Sequence, residues 1–188
     1  MDGIAWASSA MVAARTRLEI ATQNLANVST DGFRRVAARG FMTALGVSIA
    51  RGPAFRHGAL RQTGRDLDLA IVGDGAFRVR DGTGRIYQTR AGAFVRESDG
   101  TLRDGQGRTL LGLRGTLHVG SDGRVAPEAI GLPRGSHLQS GFLETSGVDA
   151  IAEMIDVLAA ERSFESAQKA VAAIDSSRQK SAEAARIK

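Results

Sequence analysis

Apolar positions at the two ends of the chain recur every three or four residues, while those in the middle recur every second one. Ile4, Ala7, Met11, Ala14, Leu18, Ala21, Leu25 and Val28 are spaced alternately three and four apart. That is the heptad seam of a helix that packs on another helix. No proline or glycine interrupts residues 4–28, and a helix of that span is about 37 Å long. Near the other end, Ser146 is placed to cap a second helix, with Asp149 near the positive end of its dipole. Val148, Ile151, Ile155 and Leu158 form one stripe there. Val157, Ala160, Phe164, Ala167, Val171 and Ile174 form another. The shift between them near residue 158 predicts a stammer in the seam, and the helix is expected to run to about Arg186 with a frayed end.

Between the helices, Leu67, Leu69 and Ile71 alternate with polar residues, as do Phe77 and Val79. Asp-Gly recurs at residues 74, 81, 99, 104 and 122, separated by short runs such as "RIYQTR", "AFVRES" and "TLLGLRGTLHV". Asp-Gly between alternating runs signals hairpins, because both residues tolerate the positive φ of a tight turn. Residues 66–126 therefore read as an antiparallel β unit. "FMTALGVSIA" fits a short helix or a strand, and "RGPAFRHG" is a loop. "LPRGSH", residues 132–137, resembles a thrombin recognition sequence and stands where a linker into the last helix is expected.

The predicted fold is α+β, with N- and C-terminal helices pairing as a coiled-coil-like unit around a central antiparallel β domain built of hairpins. The expected segments are an N-terminal helix over 1–33, a connection over 34–65, the β domain over 66–140 and a C-terminal helix over 141–188. Neither seam can be buried inside a β unit this small. The ends are expected to pair with each other or with copies of themselves.

The stretch "NLANVSTDGFRR", residues 24–35, closes the first helix. With Gly32 as the left-handed residue past the helix, Val28 and Phe33 make the hydrophobic contact of a Schellman cap. Asn24 and Asn27, three apart, lie on one flank of the seam. There they either hydrogen-bond a neighbouring helix and set its register or remain solvated.

Composition removes several chemistries. The chain of 188 residues has no cysteine, and His57, His118 and His137 lack metal-ligand spacing, so no metal site is expected. The acidic turns offer one or two carboxylates beside an arginine, too few for a calcium loop. "GDGAF" is not followed by the Gly-Lys-Ser/Thr of a phosphate loop, and Asp66 and Asp68 fall at strand spacing on one outer face. No catalytic residue, cofactor or small-molecule substrate is expected. The net charge is +5, and residues 36–145 hold fifteen basic against ten acidic groups. Tyr87 stands alone between Arg85 and Arg90, whereas a single-strand binder interleaves aromatics with basic residues, so nucleic acid is not expected. No run of apolar residues is long enough to span a membrane, and the N-terminus lacks the pattern of a cleaved signal.

"NLANVSTDGFRR" resembles the Asn-Leu-Ala-Asn-x-x-Thr-x-Gly-Phe-Lys/Arg signature of the bacterial flagellar axial proteins, the rod and hook subunits. Residues 67–112 are similar to the β region of that family, and residues 141–175 resemble its closing helix. Asp31 stands where the family often has proline, Gly147 where it has asparagine, and Glu161-Arg162-Ser163-Phe164 in place of Gln-Arg-Ala-Tyr. The opening "MDGIAWASSAM" looks most like the proximal-rod subunit. The alternatives are a distal-rod or hook-type subunit, or a non-flagellar β-domain binding module.

The resemblance implies a structural subunit of the basal-body rod, exported by the flagellar type III apparatus without a cleaved signal and polymerising across the periplasm. Its partners would be like subunits, the other rod proteins, the export apparatus and the surrounding ring. Packing is then expected to rest on Leu18, Leu25, Val28 and Phe33 of the first helix and on Ile155, Leu158, Phe164, Val171 and Ile174 of the last. Asn24 and Asn27 would set register, and Gly32 would fix the helix exit.

Overall fold

The computed structural model describes residues 3–43, 46–54, 56–120 and 125–186. In chain order the elements are α1 (Gly3–Ala26), β1 (Val36–Thr43), β2 (Gly46–Pro53), β3 (Leu60–Gln62), β4 (Leu69–Val72), β5 (Phe77–Arg80), β6 (Ile86–Thr89), β7 (Phe94–Arg96) and β8 (Leu102–Asp104). There follow β9 (Thr109–Gly112), β10 (Gly115–Thr116), α2 (Pro127–Ile130), β11 (His137–Ser140), β12 (Phe142–Glu144) and α3 (Ala150–Arg186). The fold is α+β, with terminal helices packed together and a central antiparallel β domain. Two compact units emerge: residues 1–26, 35–54 and 149–188 form one, and residues 27–34 and 55–148 the other.

The helical unit consists of α1, α3 and the β1–β2 hairpin. The two helices run antiparallel, since Gly3 lies beside Ile174 and Asn24 beside Glu153. Buried Ala7, Ala14 and Ala21 continue one heptad phase along α1. On α3, buried Glu153, Ala160 and Ala167 alternate with half-buried Val157, Phe164, Val171 and Ile174. These seven positions are spaced four and three without a break, so the stammer predicted near residue 158 does not occur. The seam runs back through an acid, Glu153, which a reading of apolar residues alone passes over. Alanine at the seam positions lets the backbones approach closely, and the half-buried Leu18 and Phe164 fill the flanks.

A second face of α1 carries the hairpin. Ser9 Oγ accepts a hydrogen bond from Val47 N at 3.2 Å, and Arg51 Nη2 meets Glu19 Oε2 at 2.7 Å. "FMT" and "GVSIA" of the ambiguous stretch are therefore strand, with pairing from Val36↔Pro53 to Thr43↔Gly46, and residues 44 and 45 lie outside the described residues. Helix α3 opens at Asp149 and not at Ser146. Asp149 Oδ1 accepts from Ile151 N at 3.0 Å and Ala152 N at 3.2 Å, whereas Ser146 Oγ serves only the nearby Val148 N. Asp149 satisfies two orphan donors of the first turn, which is what a helix cap requires.

Helix α1 ends at Ala26, short of the expected exit. Beyond it the bonds tighten to three-residue spacing, Thr30 N to Asn27 O and Phe33 N to Thr30 O, each 3.1 Å. Gly32 does adopt a left-handed φ of 70°, but its N–H donates to Glu144 O at 2.7 Å and not to a helical carbonyl. No Schellman closure forms. Glycine is required here for a second reason: a Cβ would lie 2.1 Å from Ala91 N.

In the β unit the main sheet has the order β6-β5-β9-β8-β7, with β10 paired to the Leu111–Gly112 end of β9, all antiparallel. Two further pairs are β11–β4 and β12–β3. Leu69, Ile71, Phe77, Val79, Phe94, Leu102 and Leu110 form the core, and Phe77 meets Phe94 edge-to-face at 5.3 Å. Strand β4 is buried on both faces, since Ala70 is as enclosed as its neighbours. Asp68 is buried as well, with Arg65 Nε at 3.7 Å from its Oδ1, so it does not share an outer face with Asp66. "LPRGSH" is built into the unit and is not a linker. Leu132 packs on the core, Ser136 N donates to Pro133 O, and His137 opens β11. Arg90 is buried and binds Gly75 O, Ile71 O, Gly73 O and Glu144 Oε2, tying β4 to β12.

Hairpins form at three of the five Asp-Gly positions, 81, 99 and 104, each with a three-residue loop; at 74 the flanking β4 and β5 do not pair, and residues 122 and 123 lie outside the described residues. Asp81 N bonds Arg85 O and Gly84 N bonds Asp81 O. The same pattern recurs at 104–108 and at 97–101. The left-handed residue is the last of each loop, Gly84, Gly107 or Gly100, which is the turn-plus-bulge form of a three-residue connection. At 81 and 104 the aspartate is instead a cap. Asp81 Oδ1 accepts from Thr83 N, Thr83 Oγ1 and Arg85 N, and Asp104 Oδ1 accepts from Gln106 N and Arg108 N.

The bond from the Thr83 hydroxyl, aided by Arg85 N, Tyr87 Oη and Thr83 N, holds the Asp81 carboxyl below its ordinary 3.8. Thr101 N and its hydroxyl do the same for Asp99. A carboxylate whose folded pKa is lowered adds stability above the unfolded value and loses it as pH falls through the folded one. Asp81→Asn with Asp99→Asn is therefore expected to melt below the wild type at about pH 6, with the gap narrowing toward about pH 3. Thermal unfolding followed by circular dichroism checks it, and a gap independent of pH would contradict it.

Candidate assembly interface

The helical unit is organised around a buried polar cluster at one end of the seam. Asn24, fully buried at 0% exposure, donates from Nδ2 to Val36 O at 2.9 Å and accepts at Oδ1 from Val36 N at 2.9 Å. It thereby copies the pairing of a neighbouring strand onto the first residue of β1. The same Nδ2 reaches Glu153 Oε2 at 3.1 Å. Glu153, 1% exposed, is also bound by Arg35 Nε, and Arg35 Nη2 continues to Asp156 Oδ2 at 3.1 Å. Three chain segments thus meet at one buried carboxylate. Such a charge is tolerable in a seam only with these donors around it.

The expected packing residues fall into three groups. Leu18 and Leu25 on α1, and Phe164, Val171 and Ile174 on α3, are half-buried in the helical unit. Val28 and Phe33 are half-buried too, but they belong with Asn27 and Gly32 to the 27–34 segment of the β unit. Asn27 acts there in a turn, its O and Oδ1 accepting from Thr30. Ile155 and Leu158 are 60% and 56% exposed and take no part in the seam. With Ile151 and Met154, also exposed, they line the face of α3 opposite α1. Glu153 and Arg35 were not among the expected residues. The signal for Glu153 is its phase, four residues before Val157.

Each terminal helix has therefore closed one apolar face within the chain, and α3 keeps another exposed. Exposed apolar stripes of this kind mark protein contacts. Among the described residues no helix is long and apolar enough to cross a membrane, and no group of three or more His, Asp or Glu is placed to hold a metal.

Three family profiles match the chain in order: "Flagella basal body rod protein" at residues 4–34, "Flagellar hook protein FlgE/F/G D1 domain" at 70–148, and "Flagellar basal body rod FlgEFG protein C-terminal" at 139–184. The first and last take in most of the two helices, and the second takes in most of the β unit. The flagellar basal-body rod protein FlgG of Bacillus subtilis is 28% identical, over 86% of this chain and 90% of the relative. FlgG of Agrobacterium fabrum is 25% identical, over 93% and 96%. The flagellar hook protein FlgE of Salmonella typhimurium is 35% identical, but over 58% of this chain and only 29% of its own length. The Bacillus alignment extends over 240 positions, more than the 188 residues of this chain, so that relative carries segments without a counterpart here.

These matches define a structural protein of the bacterial flagellum. The chain belongs to the flagellar basal-body rod and hook family. Coverage of nearly the whole rod relatives, against under a third of the hook relative, makes it a rod-type structural subunit that assembles with other flagellar proteins.

Proposed function

We propose that the chain polymerises through its terminal helices into the axial tube of the rod, at its proximal part. The observation that carries this is the free stripe Ile151–Leu158, on the face of α3 opposite the seam closed by α1. The closed pair supplies a stiff building block, and the free stripe supplies a contact to a further molecule. The opening sequence supports the proximal position. The type III export apparatus and the surrounding ring are the further partners of this reading, and export proceeds without a cleaved signal.

Sedimentation and electron microscopy at raised concentration test it. Wild-type protein is expected to form tubes, and cells lacking the gene to be non-motile. Leu25→Ala, which thins the seam of the building block, is expected to cost about 2 kcal/mol and to reduce assembly and swimming. A chain that stays monomeric at every concentration, in cells that swim without it, would refute the reading.

A further inference from the structure

The segment Leu132–His137 carries the residues that an arginine-directed serine protease reads, on a backbone held in the wrong shape for cleavage. Leu132, Pro133, Arg134, Gly135 and Ser136 stand in the order of a thrombin site, with the scissile bond between Arg134 and Gly135. Arg134 and Gly135 are exposed, so the guanidinium is open to the acidic pocket that sets specificity in such enzymes. The backbone, however, is not extended. Ser136 N donates to Pro133 O at 3.1 Å, and Gly135 has a φ of 86°. That is a type II turn with glycine at its third position, and the bond to be cut is its central peptide. Both flanks are anchored. Leu132 packs on the core. The turn also sits against the loop between β4 and β5: a Cβ on Gly75 would lie 2.9 Å from Pro133 Cδ, and one on Gly73 would lie 2.8 Å from Ser136 Oγ. From His137 onward the chain is β11, paired with β4 from His137↔Val72 to Ser140↔Leu69.

The two strands of this pair are unequally held. In β4, Leu69, Ala70 and Ile71 are buried, and Arg90 binds Ile71 O and, just past the strand, Gly73 O. Strand β11 has only exposed and half-buried residues, and Leu138 is its contact with the core. Peeling β11 away uncovers little apolar surface, whereas releasing β4 opens the core. Segments of the first kind open without global unfolding. We infer that Arg134–Gly135 is a latent cleavage site for arginine-directed serine proteases, shut by the turn at 133–136 and opened by local release of β11 from β4. Once it is open, the protease serine attacks the Arg134 carbonyl carbon and the Gly135 amine leaves with a proton. Water then frees the Arg134 carboxylate, so the net step is hydrolysis of one peptide bond.

Thrombin digestion of the full chain tests this, read by mass spectrometry as the appearance of fragments 1–134 and 135–188. The folded chain is expected to be cut about a hundredfold more slowly than a free peptide of residues 128–140, because only the opened fraction is cleaved. Urea well below the unfolding midpoint should speed cleavage relative to the peptide in the same urea. Its dependence should be shallower than that of global unfolding followed by circular dichroism. Leu138→Ala loosens β11 and is expected to speed cleavage several-fold. Leu102→Ala, in the main sheet, lowers overall stability and is expected to leave the rate near the wild-type value. Cleavage as fast as in the peptide would overturn the closed turn. A urea dependence as steep as global unfolding, or equal acceleration by the two variants, would overturn local release. A chain never cut after Arg134, folded or in urea, would overturn the site itself.

Discussion

Replacing Arg90 by methionine is expected to destabilise the β unit by about 3–5 kcal/mol, the usual result of removing one partner from a buried ion pair. The guanidinium is 2% exposed and spends its donors on four acceptors. Nε binds Gly75 O at 2.7 Å, Nη1 binds Ile71 O and Glu144 Oε2 at 2.9 Å each, and Nη2 binds Gly73 O. Methionine fills much of the volume but donates nothing. It leaves a carboxylate that is 4% exposed, whose other oxygen accepts from Gly58 N at 3.2 Å and lies 3.6 Å from His57 Nδ1, and it strands three carbonyls. For a chain of this size the midpoint should fall by about 10 °C or more. Arg90→Lys keeps the charge but not the fork, so it is expected to recover only part of the loss. Adding Glu144→Met to Arg90→Met removes the orphaned charge and should also recover part, but the carbonyls of Ile71, Gly73 and Gly75 remain without donors. Thermal unfolding of the wild type, Arg90→Met, Glu144→Met and the double variant gives the coupling between Arg90 and Glu144. A coupling near zero would mean that the pair does not hold β4 to β12.

Legibility in the sequence followed the range of the force that fixes each feature. The two seams were readable because helix packing repeats every few residues, and a run such as Ala7, Ala14 and Ala21 advertises itself. The hairpins were readable because their turns are punctuated by glycine. What failed was set by groups far away in the chain. Gly32 looks like a helix stop, yet its conformation is fixed by Glu144 and by the backbone at Ala91. Asp68 looks like an outward strand residue, yet β4 is enclosed on both faces. Ser146 and Asp149 are both credible caps, and only the geometry of the chain entering α3 chooses Asp149. The twin stripes on α3 are both visible in the sequence, where they read as one seam with a stammer. The structure assigns them to opposite faces, because Glu153 occupies a seam position that a count of apolar residues skips. The motif "NLANVSTDGFRR" was legible as a family mark. Its physical division was not: Asn24 serves the helical unit, and Asn27 to Arg34 serve the β unit.

The expected result of Asn24→Leu follows from that division. Leucine suits the volume and the apolar seam, so a purely hydrophobic account predicts no loss or a gain. The bonds predict otherwise. Asn24 supplies both the acceptor for Val36 N and the donor for Val36 O, and it supplies one donor to the buried Glu153. Val36 opposes Pro53, which has no N–H to offer. Losing these partners should cost about 3 kcal/mol, at about 1–3 kcal/mol for each buried group left unsatisfied. Amide exchange at Val36 should rise with it, while total helicity stays near the wild-type level, because the alanine seam further along α1 is untouched. Glu153→Leu makes the contrasting case. It removes the buried charge and its desolvation cost together and extends the apolar seam by one step, while Arg35, half-buried, keeps Asp156 as a partner, so stability should change little. Yet the seam then lacks its only buried charge among the described residues, and with it the feature that fixes the axial offset of α1 against α3. The pair should therefore melt as before but assemble poorly, since a subunit with a sliding helix pair presents its outer stripe at no fixed height. Equal stability with equal assembly in Glu153→Leu would show that alanine packing alone sets the register, and that the Asn24–Glu153–Arg35 cluster serves only to satisfy itself.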